Sequence, residues 1–387
     1  MGGVLDTDIC GMAQWAIVDT LYFDSMRHCF VRADIEIDGA RIARILPPGT
    51  SRRACSLAGE TTVCLPGLID SDVGPLHEDW DDYSQQLALH GVTTAGVFCA
   101  SLAECVACCG HDGVRRLLYV EVAERGASSD SETAAVQRAL ENFVRVMNSI
   151  RLGSCEVFPA VVPGEIWSAA TLLAAASIAE RLGRRLCVRL SSTTGDAKRY
   201  KETRYFTEVG LLSYLSLLSQ ATIFNLSQLT RRDVAMVNES SANVVCAPGA
   251  VSELLLEQHF ARLSLHDRAL GFSISGHAVG RADRYESLVS LSTALIHQSC
   301  DAVATCNVVV DALTRSAAQA LGIAHIGAIA ADMKADLCLY DRPADLAENG
   351  DSRDFIKLLA HGKPRDVLID GAPMVLDGAI VREREQA

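Results

Sequence analysis

Apolar and polar residues alternate at both ends of the chain, which is the pattern of half-buried β-strands. Residues 33–45 alternate in this way, and Asp38–Gly39 in their middle has the composition of a hairpin turn. Short stretches within residues 335–376 show the same alternation. Because the two ends of a domain often lie close together, the pattern predicts a small composite β-sandwich domain built from residues 1–62 and 330–387.

Between the two ends, short apolar runs alternate with helical stretches such as Ser168–Leu182 and Arg231–Ser241. The runs that predict strands cover residues 63–70, 92–98, 116–120, 156–162, 186–190, 222–226, 243–246 and 271–275. Eight strands separated by helices predict an α/β fold, a (β/α)₈ TIM-type barrel over residues 63–329. In such a barrel the functional side chains lie at the carboxyl ends of the strands.

Charge and cysteine usage narrow the class of protein. The 387 residues contain 35 Lys and Arg against 48 Asp and Glu, a net charge of −13, which argues against a nucleic-acid partner. No apolar run has the length of a membrane span, and Met1–Asp6 lacks the basic region of a secretory signal. Fourteen cysteines without such a signal indicate reduced thiols, so we expect a cytoplasmic protein with no membrane partner.

Four segments, in chain order, resemble the amidohydrolase superfamily. They are Leu65–Gly74 at the first barrel strand, His90–Thr94, Leu313–Gly322 and Gly327–Leu337. The resemblance covers nearly the whole chain. It implies a barrel with a small composite β-domain and, in the family, metal-dependent hydrolysis of C–N bonds.

The resemblance also implies a set of metal ligands: a His-x-His pair after strand one, a lysine or acid at strand four, histidines at strands five and six, and an aspartate at strand eight. The corresponding positions in this chain are Asp72 and Gly74, Glu156, Arg189, Asn225, and Gly276 or His277. Residues 1–197 contain no lysine and residues 112–258 contain no histidine. Shifting the assigned positions by a few residues therefore does not supply the missing lysine or histidine ligands. The sequence therefore predicts a dismantled centre with no metal and no cofactor.

Three shorter runs resemble the non-catalytic dihydroorotase-like proteins that assemble with aspartate transcarbamoylase. They are Phe224–Thr230, Ser273–Ala278 and Tyr285–Leu291. This subgroup implies a catalytically inactive scaffold or regulatory subunit in pyrimidine biosynthesis, with a transcarbamoylase-type partner or as a homo-oligomer. The alternative is a hydrolase or deaminase of cyclic amides or heterocycles with a mononuclear or metal-free site, which Asp72, His77, Glu156 and His277 could rebuild.

Two local motifs have both a structural and a functional interpretation. Asp72 and Arg189 lie at the ends of strands one and five, so they predict an ion pair across the barrel mouth. This pair is either a structural pair left after metal loss or a holder of a carboxylate ligand. Cys105, Cys108 and Cys109 form a C-x-x-C pattern near His111. With no distant second pair of ligands, this pattern indicates small buried thiols in a helix rather than a zinc or redox site.

Overall fold

The computed structural model describes residues 14–53, 56–74, 80–100, 102–109, 113–122, 155–162, 168–246, 268–274 and 301–381, with positions 141, 143–145 and 147. In this part of the chain no helix is long and apolar enough to cross a membrane.

The described strands and helices are numbered in chain order. The strands are β1 (Gln14–Asp24), β2 (Cys29–Asp38), β3 (Arg41–Leu46), β4 (Ser56–Ala58), β5 (Thr62–Pro66), β6 (Leu68–Asp70), β7 (Val92–Cys99), β8 (Arg115–Glu121), β9 (Cys155–Val161), β10 (Leu186–Arg189), β11 (Ala221–Phe224), β12 (Asn243–Cys246), β13 (Leu270–Phe272), β14 (Leu337–Asp341), β15 (Asp366–Ile369), β16 (Ala372–Leu376) and β17 (Ala379–Ile380). The helices are α1 (Trp80–Ala88), α2 (Leu102–Cys109), α3 (Ala169–Arg181), α4 (Thr194–Arg204), α5 (Glu208–Tyr214), α6 (Arg231–Glu239), α7 (Ala302–Ala312), α8 (Arg315–Leu321) and α9 (Ser352–His361), with one 3₁₀ turn at Leu218–Gln220.

One nine-stranded sheet joins the two ends of the chain. Its order is β17-β16-β15-β14-β5-β1-β2-β3, with β4 beside β1, and the two ends meet where β5 pairs antiparallel with β14. One face carries alternate buried residues such as Ile35 and Ile37 of β2 and Leu337 and Leu339 of β14. The predicted second sheet from both chain ends is therefore confirmed, as one continuous sheet, while the domain bounds 1–62 and 330–387 stay a prediction.

The other sheet is the barrel. Its eight parallel strands run in sequence order from β6 to β13, and the Ser71 amide donates to the Phe272 carbonyl at 2.9 Å across the β6–β13 seam. The (β/α)₈ barrel is confirmed, and each of the eight predicted runs overlaps one barrel strand. Both tested helices are also present: α3 begins after Ser168, whose hydroxyl caps the Thr171 amide at 3.0 Å, and α6 begins at Arg231.

The run 63–70, predicted as one strand, is two strands that belong to different sheets. Gly67 lies between β5 and β6 and donates its amide to the Asp336 carbonyl at 2.9 Å. A Cβ at this position would lie 2.2 Å from Oγ1 of Thr93, so a residue other than glycine does not fit. The chain therefore passes directly from the composite sheet into the barrel, and β6 delivers Asp72 to the carboxyl end.

Candidate functional site

The loop after β6 is fixed to the last barrel strand. Asp70 is fully buried, and its Oδ1 accepts the amides of Ile274 at 3.1 Å and of Asp72 at 3.3 Å. The Ser273 hydroxyl donates to the carbonyl of Asp72. These bonds hold the backbone at Asp72 across the seam of the barrel. The sequence analysis did not single out Asp70, although it stands two residues before Asp72 in the same motif.

Asp72 and Arg189 meet across the barrel mouth, as predicted. Nη2 of Arg189 lies 3.3 Å from Oδ2 of Asp72, and the two side chains are 15% and 9% exposed. The guanidinium also lies over the ring of Phe98, 4.8 Å from its centroid. Because Arg carries a permanent charge and stacks well on aromatic rings, this arrangement holds one orientation.

Gly74 has a backbone role next to this pair. Its amide donates to Oδ1 of Asp72 at 2.9 Å, and its φ of +90° lies in the region that side chains rarely adopt. The turn therefore occupies the second carboxylate oxygen of Asp72. Gly74 thus serves to shape the loop.

Asn225 follows β11 and joins two neighbouring loops of the mouth. Its φ is +61°, a conformation that Asn adopts more readily than most residues. Its side-chain amide donates to the carbonyl of Leu190 at 3.1 Å, and its Oδ1 accepts the amide of Ser227 at 3.4 Å. Asn225 thereby ties the loops after β10 and β11 together on the side where Arg189 lies.

Glu156 is not at the mouth, which corrects the prediction for this position. It is the second residue of β9, at the amino end of the strand, and its Oε2 lies 2.5 Å from Nη2 of Arg184. Arg184 precedes β10 and lies over the ring of Phe158 at 5.1 Å. At the carboxyl end of β9 the chain has the buried residues Val161 and Val162. Glu156 therefore cannot join Asp72 in one site.

Gly276 and His277, and likewise His77, lie outside the described residues. The structure thus brings together Asp72, Gly74, Arg189 and Asn225 and does not bring Glu156 to them. The predicted site rebuilt from Asp72, His77, Glu156 and His277 therefore cannot include Glu156.

Aromatic rings fill the barrel just below this ion pair. Centroids of Phe98 and Tyr119 lie 4.8 Å apart, and those of Tyr119 and Phe224 lie 5.0 Å apart. Burial raises the pKa of Tyr119 well above its ordinary value, and its hydroxyl donates to the carbonyl of Ser71 at 2.9 Å. The floor of the mouth is therefore apolar, and its one phenol is neutral and already hydrogen-bonded.

Glu208 positions the loop that follows Arg189. Its carboxylate accepts the Ser191 amide at 3.0 Å and the Ser191 hydroxyl at 2.9 Å. Burial raises the pKa of Glu208, against the opposing effect of these two donors. The sequence analysis missed this contact because it joins residues seventeen positions apart, with no motif that links them.

The residues described at the mouth do not fit the metal centre of the family. Zinc sites use His, Cys, Asp or Glu ligands. No group of three such residues that could hold a metal ion is present within the described ranges. A guanidinium cannot act as a ligand at ordinary pH, and here that of Arg189 pairs with Oδ2 of Asp72.

The C-x-x-C segment forms the buried part of a helix, as predicted. Cys105 and Cys108 lie in α2 and are fully buried, and Cys99 at the end of β7 faces them. Hydrogen bonds with these two thiols, together with burial, raise the pKa of Cys99 well above its ordinary value. The thiol of Cys99 therefore stays protonated. The side chains of Cys109 and His111 lie outside the described residues.

No protein-family model and no curated protein matches the chain, whereas several solved structures share its fold. Atrazine chlorohydrolase from Arthrobacter aurescens, complexed with zinc, aligns over 96% of this chain and 97% of that chain, with 13% identity and a TM-score of 0.72. An adenosine deaminase from Xanthomonas campestris with bound zinc aligns over 96% and 94%, with 16% identity and a TM-score of 0.75. Aminofutalosine deaminase from Helicobacter pylori aligns over 94% and 100%, with 12% identity and a TM-score of 0.71.

These neighbours are members of the amidohydrolase superfamily, so the resemblance in the sequence is matched at the level of the fold. They are a chlorohydrolase and two deaminases, and their names give no support to the dihydroorotase-like subtype. The subtype depended on three runs of a few residues each. Two of those runs, Ser273–Ala278 and Tyr285–Leu291, lie partly or wholly outside the described residues.

Proposed function

We propose that this protein is a hydrolase or deaminase that acts on a C–N bond of a cyclic amide or heterocycle, from a reorganised site without the family's metal ligands at the barrel mouth. The observation that carries the proposal is the Asp72–Arg189 pair at 3.3 Å, placed at the carboxyl ends of the barrel strands. The fold is shared with a chlorohydrolase and two deaminases, which supports an activity of this general class.

The two side chains offer complementary chemistry. In hydrolysis of a C–N bond, water adds to the carbon, negative charge develops on the carbonyl oxygen or ring nitrogen, and the leaving nitrogen takes up a proton. Arg189 supplies a fixed positive charge and N–H donors for the developing charge. The Asp72 carboxylate can accept the proton of the attacking water and return it to the leaving nitrogen. The aromatic floor at Phe98 keeps bulk water away from the pair.

Turnover by the purified protein tests this proposal. Dihydroorotate, hydantoin, adenosine and adenine are suitable substrates, each assayed by loss of ring absorbance or release of ammonia. Asp72→Asn should lower kcat about 100-fold or more, because it removes the proton acceptor. Arg189→Gln should lower it by about 100-fold, because it removes the charge that stabilises the transition state.

Arg184→Gln is the matched control for Arg189→Gln. Arg184 also pairs with an acid and lies over a phenylalanine ring, but at the amino end of the barrel. Its substitution should leave kcat within about twofold of the parent, since this partly exposed ion pair lies at the opposite end of the barrel from the proposed site. The proposal is refuted if the protein turns over none of these substrates. It is also refuted if the Arg184 and Arg189 variants lose kcat equally.

A second candidate function is a catalytically inactive subunit that assembles with an aspartate transcarbamoylase-type partner. Its partner is implied only by the resemblance of three short runs, and contacts of Arg189 and of the turn at Gly74 with both oxygens of Asp72 would suit an inactive mouth. Co-expression with the aspartate transcarbamoylase of the same source, followed by size exclusion with light scattering, tests it. A stable complex without turnover would support this candidate, and two separate peaks would count against it.

A further inference from the structure

A second concave surface lies beside the barrel mouth, with a cavity of about 610 Å³. It is formed by the corner that joins α4 to α5 and by the start of α6. All three elements lie in the segments that follow β10 and β11. The cavity shares no lining residue with the Asp72–Arg189 pair, so it is separate from the proposed catalytic site.

Three aromatic side chains line this cavity and are exposed to solvent. Tyr205 is 88% exposed and Tyr214 is 72% exposed, and Phe206 lies with its ring centroid 5.3 Å from that of Tyr214. The protein otherwise buries most of its large aromatic rings. Exposed rings grouped around a concavity are typical of ligand or partner sites.

The backbone at Tyr205 is held in a conformation that a tyrosine rarely adopts. Tyr205 ends α4 with φ +61°, and its amide donates to the carbonyl of Lys201 at 2.8 Å. This left-handed position favours Gly or Asn, because a Cβ is strained there. Strained positions of this kind cluster at functional sites. The strain here places an aromatic ring at the edge of the cavity instead of a small turn residue.

The cavity is positively charged although the whole chain carries −13. Lys201, Arg231 and Arg232 line it, and none of them forms an ion pair with another described residue. The carboxylate of Asp233, which also lines the cavity, already accepts hydrogen bonds from two threonines. One of its oxygens accepts the hydroxyl of Thr207 at 2.5 Å, and the other accepts the amide of Thr230 at 2.8 Å.

We propose that this cavity binds a planar organic anion, an aromatic or heterocyclic ring that bears a phosphate or a carboxylate. The volume is in the range of small-molecule sites, about 300–1,000 Å³. The guanidinium groups of Arg231 and Arg232 can hold the anionic group in a bidentate manner. The ring can stack on Tyr205 or Tyr214. A nucleoside monophosphate and a pyrimidine carboxylate both have this chemistry.

Calorimetric titration of the full chain with four probes tests the proposal. AMP carries a ring and a phosphate, orotate carries a ring and a carboxylate, and adenosine and inorganic phosphate each carry one half of the AMP chemistry. We expect saturable binding of AMP, orotate or both, at one site per chain. If AMP is the better ligand, adenosine and inorganic phosphate should each bind at least tenfold more weakly than AMP. Each of them contacts only the aromatic residues or only the basic residues of the cavity.

Substitutions separate the site from the barrel mouth. The double variant Arg231→Gln/Arg232→Gln and the single variant Tyr214→Ala should each weaken binding of the best probe at least tenfold. Lys198→Gln is the matched control, because Lys198 also lies on α4 but is 73% exposed and pairs with Glu202 at 3.7 Å. It should bind like the parent, and so should Asp72→Asn, which alters only the proposed catalytic pair.

Tyr205→Asn distinguishes a binding role from a structural one. Asn tolerates the left-handed conformation better than Tyr, so the melting temperature should rise or stay unchanged while probe binding weakens. The proposal is overturned if no probe saturates at millimolar concentration, or if inorganic phosphate binds as tightly as the better of AMP and orotate. It is also overturned if the cavity variants bind like the parent, or if Asp72→Asn abolishes binding.

Discussion

Two arginines of the barrel make the same pair of contacts at opposite ends. Arg189 meets Asp72 over Phe98 at the mouth, and Arg184 meets Glu156 over Phe158 at the amino end. The mouth pair is the more buried of the two. Because Coulomb interactions strengthen as water is excluded, the two pairs differ in energy although their chemistry is alike. Burial, rather than residue type, therefore separates the two pairs, and the proposed function uses the one at the carboxyl ends of the strands.

Gly67 is the residue on which the passage between the two sheets depends. Gly67→Ala should lower the free energy of unfolding by about 1–3 kcal/mol, because the new Cβ meets Thr93 in a packed region. Urea unfolding followed by circular dichroism measures the difference. Gly195→Ala is the control: its nearest neighbour, Oγ1 of Thr193, is 3.8 Å away, and the helix should be unchanged or slightly stabilised. Equal midpoints for the two variants would contradict this account.

At the scale of elements, apolar runs were sufficient to find the barrel strands, because a buried strand needs little besides apolar residues. The pattern could not show that the sheet changes at Gly67, since both strands are apolar and only the close approach of Thr93 reveals the break. The resemblance, and not the apolar pattern, assigned Glu156 to a ligand position. The predicted run 156–162 already begins with this residue, so the chain direction alone places Glu156 at the amino end of its strand. Asp72 and Arg189 were found because Arg189 ends β10 and Asp72 lies two residues after β6, both at carboxyl ends.

The loop after β3 depends on one buried carboxylate. Asp34 of β2 accepts backbone amides from Asp19 at 2.8 Å, Gly49 at 3.0 Å, Thr50 at 2.8 Å and Ser51 at 2.8 Å. Burial alone would raise the pKa of Asp34, but these four donors outweigh it and hold the pKa below its usual range. The ionised group therefore stabilises the fold above the unfolded pKa of about 3.9, and this contribution is lost as the pH falls through the lower folded value.

Asp34→Asn should accordingly destabilise the protein in a pH-dependent manner. At pH 7 the free energy of unfolding should fall by about 1.5–3 kcal/mol, the usual range for hydrogen bonds to a charged group. The difference from the parent should shrink below about pH 4, because the unfolded parent then takes up a proton on Asp34 while the folded parent still holds the charge. Urea titrations at pH 7 and pH 3 measure both values. Asp38→Asn, on the same strand but exposed and bonded to Gln14 at 3.0 Å, should change stability by less than about 0.5 kcal/mol at either pH.

At the scale of the whole molecule, a buried ion cluster joins the composite sheet to the amino end of the barrel. Arg115 begins β8, and its guanidinium lies 2.5 Å from Oδ2 of Asp336 and 2.7 Å from Oδ1 of Asp370. Lys334 lies 3.0 Å from the same oxygen of Asp370. This end of the barrel is therefore occupied by contacts between the two sheets, which leaves the carboxyl end as the face open to ligands.

Arg115→Met should be the most destabilising single change discussed above, by about 3–5 kcal/mol, because it leaves Asp336 buried without its partner. Adding Asp336→Asn should recover part of the loss, since the uncompensated charge is then removed. Arg353→Met is the control: its ion pair with Asp351 is also short, at 2.6 Å, but its side chain is more than half exposed, so the change should cost less than about 1 kcal/mol. Urea unfolding at pH 7 compares the four proteins. If Arg115→Met costs no more than Arg353→Met, the cluster does not hold the two sheets together, and their association must then depend on the apolar contacts between them.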